Sequence, residues 1–442
     1  MIGRCAIFLI SFLFVPLATK GGEAEILRDL RAWHASTDDE QRRELARRIE
    51  RDAGFDRRRL SEWLHRIAEL PEHEPGRFEM DVDAGHGQSR RVTVRIPRGY
   101  DAAKRWPVIY ALHPSGSNGR LWIDYLERIL GRRIDEFLVV APTGYRQTGL
   151  DAPPPFTRDH AAILREVKRE FHVDSNRVHA LGYSLGGYAA WAVALFHSEL
   201  FASIVPMGAA FTVPPSDDGL WRLMLPNFRH VPVLWVWGGA DAHQVTGIDG
   251  KSIGGIAVLN RKFLELTREE NLPITTVVIP GRGHNDFMEP PPRALTRILS
   301  ARRVELPRRV ERTFRHLHQG SVYWLEAETW NGPSWGNQTI ASHPEKGESS
   351  ERALGRAIAP RLGMLAGEIE GQTIRIRRRN IGSMVVWIEE GMIDWKKPLV
   401  VEIDGRRIFE GVVAPDLHLA LSEAARTGDL DRLRWARIRI DG

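Results

Sequence analysis

The chain has 442 residues, of which 43% are hydrophobic and 27% are charged. This composition supplies enough apolar side chains for a large core and excludes an intrinsically disordered chain, and the length is typical of two or three folded units. The 62 Lys and Arg residues nearly balance the 57 Asp and Glu residues, and the two signs alternate, as in residues 42–52. We therefore expect no nucleic-acid partner.

The N-terminal segment carries the only cysteine, Cys5, within an almost entirely apolar run at residues 5–18 that follows Arg4. At about 1.5 Å per residue this run is too short for a hydrocarbon core of about 30 Å. It predicts a signal peptide at residues 1–24, cleaved after Ala24, and hence a secreted or periplasmic protein without disulfides or membrane insertion. An uncleaved membrane anchor is the alternative.

The segment at residues 25–76 is rich in Arg and Glu, and its apolar residues recur at helical spacing. This pattern predicts two or three short amphipathic helices. Pro71, Pro75 and Gly76 end this N-terminal helical segment.

Residues 77–306 alternate short apolar runs with amphipathic stretches. The predicted strands are 78–82, 92–96, 108–112, 137–140, 177–182, 202–207, 233–237 and 274–279. The predicted helices are 159–171, 185–196, 253–269 and 293–301. Strands that alternate with helices predict an α/β domain whose doubly wound, mostly parallel sheet is covered on both faces.

Residues 307–442 change in pattern again and predict a β-rich accessory domain. The predicted strands are 322–326, 373–377, 385–388, 399–403, 407–410 and 436–440. Asp404-Gly405 indicates a hairpin, and one helix is expected near 417–425, so we expect a small antiparallel β-sandwich. Most of its tryptophans are expected to fill the sandwich core or the domain interface, with stacking platforms of a carbohydrate- or partner-binding module as the alternative. They are Trp324, Trp330, Trp335, Trp387 and Trp395.

The segment Gly182-Tyr183-Ser184-Leu185-Gly186 lies directly between a predicted strand and a predicted helix. In that setting a G-x-S-x-G sequence forms a sharp turn that presents the serine hydroxyl at the carboxyl end of the sheet. The two glycines are needed because a Cβ there would collide with the neighbouring strand or helix. The N-terminus of the following helix favours negative charge that develops at Ser184. The alternative is a turn that only packs a helix on a strand.

A serine hydroxyl needs a base within hydrogen-bond reach and a third group that orients the base. His284 follows the last predicted strand of the α/β domain, and Asp241 follows the strand before it. Both positions lie at the sheet edge where Ser184 is expected, and the chain order Ser, Asp, His is the one this architecture uses. The sequence therefore predicts a catalytic triad of Ser184, Asp241 and His284.

Three neighbouring residues were weighed against these assignments. Asp249 lies further into the loop of Asp241 and is a second candidate acid. Asp286 is interpreted as a local cap or surface carboxylate. His243 is so close to Asp241 in sequence that the two are expected to lie along one loop and not across a cleft. The spacing of His and carboxylate residues does not predict a metal site.

Acyl transfer also needs two N–H donors for the oxyanion, since the loss of one typically costs about 3 to 4 kcal/mol of transition-state stabilisation. One donor is predicted to be the amide of Leu185. The other is assigned to the amide of Ser115, in the loop after strand 108–112, because Pro114 has no N–H. An ordinary turn is the alternative for that loop.

Residues 92–301 resemble the α/β-hydrolase superfamily, and more narrowly the secreted esterases related to polyhydroxybutyrate depolymerases, feruloyl esterases, dienelactone hydrolases and the catalytic domain of prolyl oligopeptidases. The resemblance is carried by residues 113–116 and 174–178, the Ser184 turn, and the loops of Asp241 and His284. It implies a two-step acyl-enzyme mechanism without a metal or organic cofactor. One departure is Pro114, where the family usually has glycine.

The sequence thus predicts a secreted serine hydrolase that cleaves carboxylic esters, with a polysaccharide-linked ester among the substrates left open. Two alternatives remain at this point. One is a serine peptidase of the prolyl oligopeptidase type, because a triad alone does not choose between ester and amide. The other is a non-catalytic binding protein with a vestigial serine turn.

Overall fold

The computed structural model describes residues 21–83, 89–144, 156–211, 218–246, 252–268, 270–286, 289–335 and 340–442. The chain divides into two compact units, the first ending at Ala68 and the second running from Glu69 to Gly442. Most of the predicted signal peptide lies outside the described residues, and the expected cleavage position after Ala24 falls inside the first helix. Within the described residues, no helix is long and apolar enough to cross a membrane.

The first unit contains helices α1 (Gly21–Ala35), α2 (Asp39–Arg51) and α3 (Leu60–Ile67). Helix α2 begins where the Asp38 carboxylate accepts a hydrogen bond from the amide of Gln41, which satisfies a helix N–H that has no partner within the helix. Trp33 and Trp63 are fully buried in this unit. The prediction of short amphipathic helices is confirmed.

The second unit begins with alternating strands and helices. In chain order the strands are β1 (Gly76–Asp83), β2 (Ser89–Ile96), β3 (Trp106–Leu112), β4 (Leu138–Pro142), β5 (Val173–Tyr183), β6 (Ser203–Met207), β7 (Val233–Gly238), β8 (Gln244–Thr246), β9 (Ser252–Gly255) and β10 (Ile274–Ile279). The helices are α4 (Gly119–Leu130), α5 (Phe156–Glu170), α6 (Leu185–His197), α7 (Asp218–Met224), α8 (Ile256–Thr267) and α9 (Pro292–Leu299).

Eight of these described strands form one sheet in the order β1-β2-β4-β3-β5-β6-β7-β10. Strand β2 runs antiparallel to β1 and β4, whereas β4, β3, β5, β6, β7 and β10 pair in parallel. Every residue of β4, β6 and β7 is buried, as expected for strands covered on both faces. This topology confirms the predicted α/β-hydrolase fold.

The strand register brings the carboxyl ends of the central strands to one edge. Leu112 at the end of β3 pairs with Gly182, and Ile279 at the end of β10 pairs with Gly238. The loops that follow β3, β5, β7 and β10 therefore start side by side at this edge.

The start of one predicted helix is wrong. The expected helix 253–269 begins only at Ile256, because the preceding residues form β9, which pairs antiparallel with β8. Gly254, at a φ of +136°, and Gly255 have low helix propensity, so pairing with β8 prevails over the helical pattern there.

The C-terminal region contains two sheets. Its strands are β11 (Arg309–Phe314), β12 (Ser321–Val322), β13 (Leu325–Ala327), β14 (Gly363–Glu370), β15 (Thr373–Arg379), β16 (Met384–Glu389), β17 (Leu399–Ile403), β18 (Arg406–Gly411) and β19 (Arg434–Ile440), with helices α10 (Ser350–Ile358) and α11 (Leu417–Thr427). Among the described strands the sheet orders are β11-β14-β15-β17-β18 and β12-β13-β16-β19. Both sheets contribute to one apolar core, and the Asp404-Gly405 turn joins β17 to β18 as predicted.

Two details of the predicted sandwich are wrong. Strands β15 and β17 pair in parallel and not antiparallel. The single strand expected at 322–326 is a tight hairpin, because Tyr323 adopts a φ of +53° and breaks the extended run. The preference for core-filling tryptophans holds: Trp324 and Trp387 are buried, and Trp330, Trp335 and Trp395 are half-buried.

The α/β region and the C-terminal region belong to the same compact unit. Ile358 and Leu362, which follow from α10, pack in the same apolar core as the eight-stranded sheet. The domain boundary placed between residues 306 and 307 stays a prediction.

Candidate active site

Ser184 occupies the sharp turn between β5 and α6. Its φ of +52° lies in a region that non-glycine residues rarely adopt, which identifies a strained turn. Its amide donates to the Met207 carbonyl at 2.9 Å, so β6 holds the turn in place. A Cβ on Gly182 would lie 2.0 Å from the Gly186 oxygen, and a Cβ on Gly186 would lie 1.9 Å from the Leu112 oxygen. Only glycine permits this close packing of strand, turn and helix.

The structure brings the three predicted triad residues together. Ser184 Oγ lies 2.9 Å from His284 Nε2, and His284 Nδ1 lies 3.0 Å from Asp241 Oδ2. The side chain of Asp241 is 0% exposed, and that of His284 is 14% exposed. With the proton on Nδ1, His284 donates to the carboxylate, and Nε2 can accept the serine proton.

Backbone contacts fix the carboxylate of Asp241. Its Oδ1 accepts a hydrogen bond from the amide of His243 at 3.1 Å, while the Asp241 carbonyl accepts from the amide of Ala257 at 2.9 Å. Gly238, at the end of β7, packs so closely on the next loop that a Cβ there would lie 2.1 Å from the Arg282 oxygen. The loops that carry Asp241 and His284 therefore pack directly on each other.

The His284 loop is held by its own turn and by a tyrosine. Asp286 Oδ2 accepts from the amide of Gly283 at 2.7 Å, so this carboxylate caps the turn as the sequence suggested. The Tyr183 hydroxyl donates to the His284 carbonyl oxygen. Burial, with the nearby Asp241 and Asp286 carboxylates, raises the pKa of Tyr183 to about 12, so the phenol keeps the proton that it donates.

Sequence reasoning missed the proximity of His243 to the base. The His243 ring stacks on His284 with a centroid separation of 4.3 Å and an interplanar angle of 17°. His243 is an exposed residue, whereas the His284 side chain is mostly buried. Its position two residues after Asp241 places it on the same loop, but sequence spacing does not give the direction of its side chain.

The two predicted oxyanion donors follow neighbouring strands. Leu185 is the first residue of α6, and Ser115 lies in an exposed turn closed by a hydrogen bond from the Ser117 amide to the Pro114 carbonyl at 3.3 Å. His113 Nδ1 lies 2.9 Å from the Pro114 oxygen, and burial lowers the pKa of His113, which favours the neutral ring.

The rival acid Asp249 lies outside the described residues. Within the part of the chain that the structure describes, no cluster of three or more His, Cys, Asp or Glu residues is arranged to hold a metal ion. The described residues of this site offer a serine hydroxyl, an imidazole, a carboxylate and backbone amides.

Comparisons with known proteins agree with this geometry. Residues 84–241 match the model of the Esterase family, described as "Putative esterase". "Probable feruloyl esterase C" from Aspergillus terreus is 26% identical over 163 residues, which is 34% of this chain. The chain spans only 58% of that relative's length.

Solved structures that resemble this chain include a depolymerase and a ferulic acid esterase. A poly(3-hydroxybutyrate) depolymerase from Bordetella parapertussis is 17% identical, with a TM-score of 0.40 over 51% of this chain and 94% of the other. A ferulic acid esterase from Anaeromyces mucronatus is also 17% identical, with a TM-score of 0.35 over 50% of this chain and 88% of the other. At these TM-scores the fold assignment rests on the strand order and the serine turn.

Proposed function

We propose that the protein is a serine esterase that hydrolyses carboxylic esters through an acyl-enzyme intermediate. The observation that carries the proposal is the continuous hydrogen-bond chain from Ser184 Oγ through His284 to the buried Asp241 carboxylate. A connection from a strand to a helix does not require a strained serine. A nucleophile does benefit from such a turn at a helix N-terminus. The match of residues 84–241 to an esterase family supports the same conclusion.

In the proposed first step, Ser184 Oγ attacks the acyl carbon and His284 Nε2 takes the hydroxyl proton. Asp241 stabilises the imidazolium that forms, and the amides of Leu185 and Ser115 donate to the oxyanion. The imidazolium then protonates the leaving alcohol as the ester bond breaks. In the second step, His284 activates a water molecule that releases the carboxylic acid and regenerates Ser184.

The substrate class is proposed from the relatives. One curated relative is named a feruloyl esterase, so feruloyl esters are the first substrates to test, with polysaccharide-linked and simple alkyl esters beside them. Peptide amides test the serine peptidase alternative. Hydrolysis of esters without cleavage of amides supports the esterase, whereas efficient amide cleavage replaces it with a peptidase.

Export of the protein is proposed from its N-terminal sequence. The apolar run at residues 5–18 after Arg4 supports a signal peptide that is removed from the mature chain. N-terminal sequencing of protein recovered from the medium or periplasm tests this assignment. A mature chain that still begins at Met1 and sediments with membranes supports an uncleaved anchor instead.

The function is tested with Ser184→Ala, compared with Ser300→Ala, which changes an exposed serine outside the site. For Ser184→Ala we expect kcat/KM on p-nitrophenyl esters to fall roughly 10⁴-fold or more, because the nucleophile is removed. A fluorophosphonate should label the wild type and Ser300→Ala but not Ser184→Ala. Undiminished turnover by pure, folded Ser184→Ala, or a wild type that resists the label, would disprove the proposal.

A further inference from the structure

We infer that His243 is a positioning residue for the general base: its ring packs on one face of the His284 imidazole and keeps that ring in line with Ser184 and Asp241. This inference rests on the proposed function. The two rings are 4.3 Å apart and nearly parallel, at 17°. That separation is typical of offset-stacked rings whose faces are in van der Waals contact.

The stacked His243 ring opposes a motion of the His284 imidazole that its two hydrogen bonds restrain only weakly. The bonds from Nδ1 to Asp241 and from Nε2 to Ser184 measure 3.0 Å and 2.9 Å, and imidazole nitrogens donate and accept in the plane of the ring. These bonds restrain movement of the ring within that plane. They restrain tilting out of the plane only weakly, because the energy of a hydrogen bond depends less steeply on small changes of angle than on changes of distance. A ring stacked on the face opposes this tilt.

A second ring lies near the same imidazole. The Tyr183 ring is nearly parallel to His284, at 21°, but its centroid is 5.9 Å away. Tyr183 also holds the His284 main chain through its hydroxyl. Tyr183 therefore fixes the backbone of the base, while His243 provides the closer contact with its side chain.

The side chain of His243 can be replaced without removing the bonds that shape its loop. Its amide donates to Asp241 Oδ1 at 3.1 Å, and its carbonyl accepts from the amide of Ile256 at 3.0 Å. Both bonds use main-chain atoms of residue 243. His243 as a residue is exposed on its loop. A substitution at 243 thus changes the contact on the base and leaves the carboxylate's hydrogen bonds in place.

The distance between base and nucleophile is critical for the rate. A general base must stay within about 2.6 to 3.2 Å of the atom whose proton it takes. Displacement of a reacting group by about 1 Å can reduce the rate about 100-fold. Loss of one of the contacts that hold the imidazole should give a smaller but measurable decrease.

The test compares His243→Ala with His243→Phe, which keeps a flat ring but has no imidazole nitrogen. His318→Ala is the control, because His318 belongs to another stacked histidine pair, with His316, outside the site. For His243→Ala we expect kcat on p-nitrophenyl acetate to fall about tenfold with KM changed less than about twofold, and fluorophosphonate labelling to slow in parallel. His243→Phe should recover most of the loss, and His318→Ala should match the wild type.

Several outcomes would overturn the inference. One is His243→Ala with wild-type kcat and labelling rate. Another is His243→Phe as impaired as His243→Ala, since the loss would then come from the imidazole nitrogens and not from the stacked ring. Loss of the native near-UV circular dichroism in His243→Ala would show a structural role instead. In each case wild-type enzyme that is labelled at Ser184 keeps the proposed function intact, whereas an unlabelled wild type overturns both.

Discussion

Asp241, whose side chain has no exposed surface, is held in the candidate site through both oxygens of its carboxylate. Asp241 accepts from the His243 amide with one oxygen and faces His284 Nδ1 with the other. Both oxygens of the group are thus engaged, and the ionised form is supplied with donors in a buried position. The imidazole is held in the tautomer whose free nitrogen faces Ser184.

Asp241→Asn tests this residue directly. An amide that donates to His284 Nδ1 reverses the tautomer, so the nitrogen facing Ser184 would carry a proton and could not act as the base. We expect kcat to fall by about 10² to 10⁴-fold with a native circular dichroism spectrum. Asp286→Asn is the matched control, because an amide oxygen can still accept from Gly283, and it should keep most of the activity. Equal activity of Asp241→Asn and the wild type would contradict the assignment.

At the scale of elements, the site depends on how closely β7, β10 and their loops pack. Gly238 ends β7 and lies against the main chain of residue 282, two residues before His284. Its neighbour Gly239 has more room, since the nearest atom to an added Cβ would be a Val278 methyl group at 3.4 Å. An added methyl group would therefore disturb the placement of Asp241 and His284 at Gly238 but not at Gly239.

This pair gives a matched prediction. In Gly238→Ala the new methyl group would lie 2.1 Å from the Arg282 oxygen, which requires the His284 loop to move. We expect a kcat at least about tenfold lower and a decreased melting temperature, because displaced backbone misaligns the base. Gly239→Ala should retain wild-type activity. If both variants behave alike, close packing at Gly238 does not control the site.

Two buried histidines in the α/β region make its stability depend on pH. His160 on α5 lies with Nδ1 2.9 Å from the Tyr110 hydroxyl, and His179 on β5 lies with Nδ1 2.8 Å from Ser203 Oγ. Burial is the main cause that lowers the pKa of each to about 3. Both side chains are neutral in the folded protein. Above the ordinary histidine pKa they are also neutral in the unfolded chain, so protonation then makes no difference to the free energy of unfolding.

As the pH falls below about 6.5, the unfolded chain binds a proton at each of these positions and the folded chain does not. The free energy of unfolding should therefore fall with decreasing pH, by about 1.4 kcal/mol per pH unit for each histidine. In His160→Gln the free energy of unfolding should change by about 1.4 kcal/mol less per pH unit between pH 6 and pH 4.5, because one histidine fewer binds a proton on unfolding. Urea unfolding of the wild type and of His160→Gln across this pH range measures the difference, and equal slopes would contradict the prediction.

The parts of the fold that sequence could predict are those whose local pattern and tertiary environment agree. Strand β10 was predicted with its observed ends, Ile274–Ile279, because a short β-branched run between breakers allows few other structures. Helix α4 is absent from the predicted elements, although its apolar residues face the core. The hairpin at Tyr323 was missed because a buried aromatic pair resembles a strand interior and its positive φ depends on tertiary packing.

The same distinction applies to the site. Ser184, Asp241 and His284 could be placed together because each follows a parallel strand, and such strands end at one edge. The contact of His243 could not be predicted, since it depends on how two loops fold over each other. Sequence spacing constrains where a loop begins but not the direction of each side chain along it.

At the scale of the whole molecule, buried charges join the α/β region to the C-terminal region. Arg303, which follows α9, binds Asp429 through two hydrogen bonds of 2.6 Å and 3.3 Å. Arg312 on β11 is 0% exposed and lies 2.7 Å from Glu199. Both pairs are buried, and removal of one partner from a buried ion pair is strongly destabilising, so these pairs couple the stability of the two regions.

Asp429→Asn tests whether these ion pairs hold the unit together. Burial alone would raise the pKa of Asp429, yet Arg303 and Lys168 hold it well below the usual range, so the carboxylate is ionised in the fold. Its neutralisation removes the charge that contacts the Arg303 guanidinium, whose side chain is 1% exposed. We expect a loss of about 3 to 5 kcal/mol in the free energy of unfolding, measured by urea titration.

The control for this experiment is Glu136→Gln, which breaks an exposed pair with Arg133 at 3.1 Å. Its unfolding midpoint should match that of the wild type, since solvent screens exposed charges. If Asp429→Asn unfolds at the wild-type midpoint, the regions are held together by their shared apolar core and not by these charges.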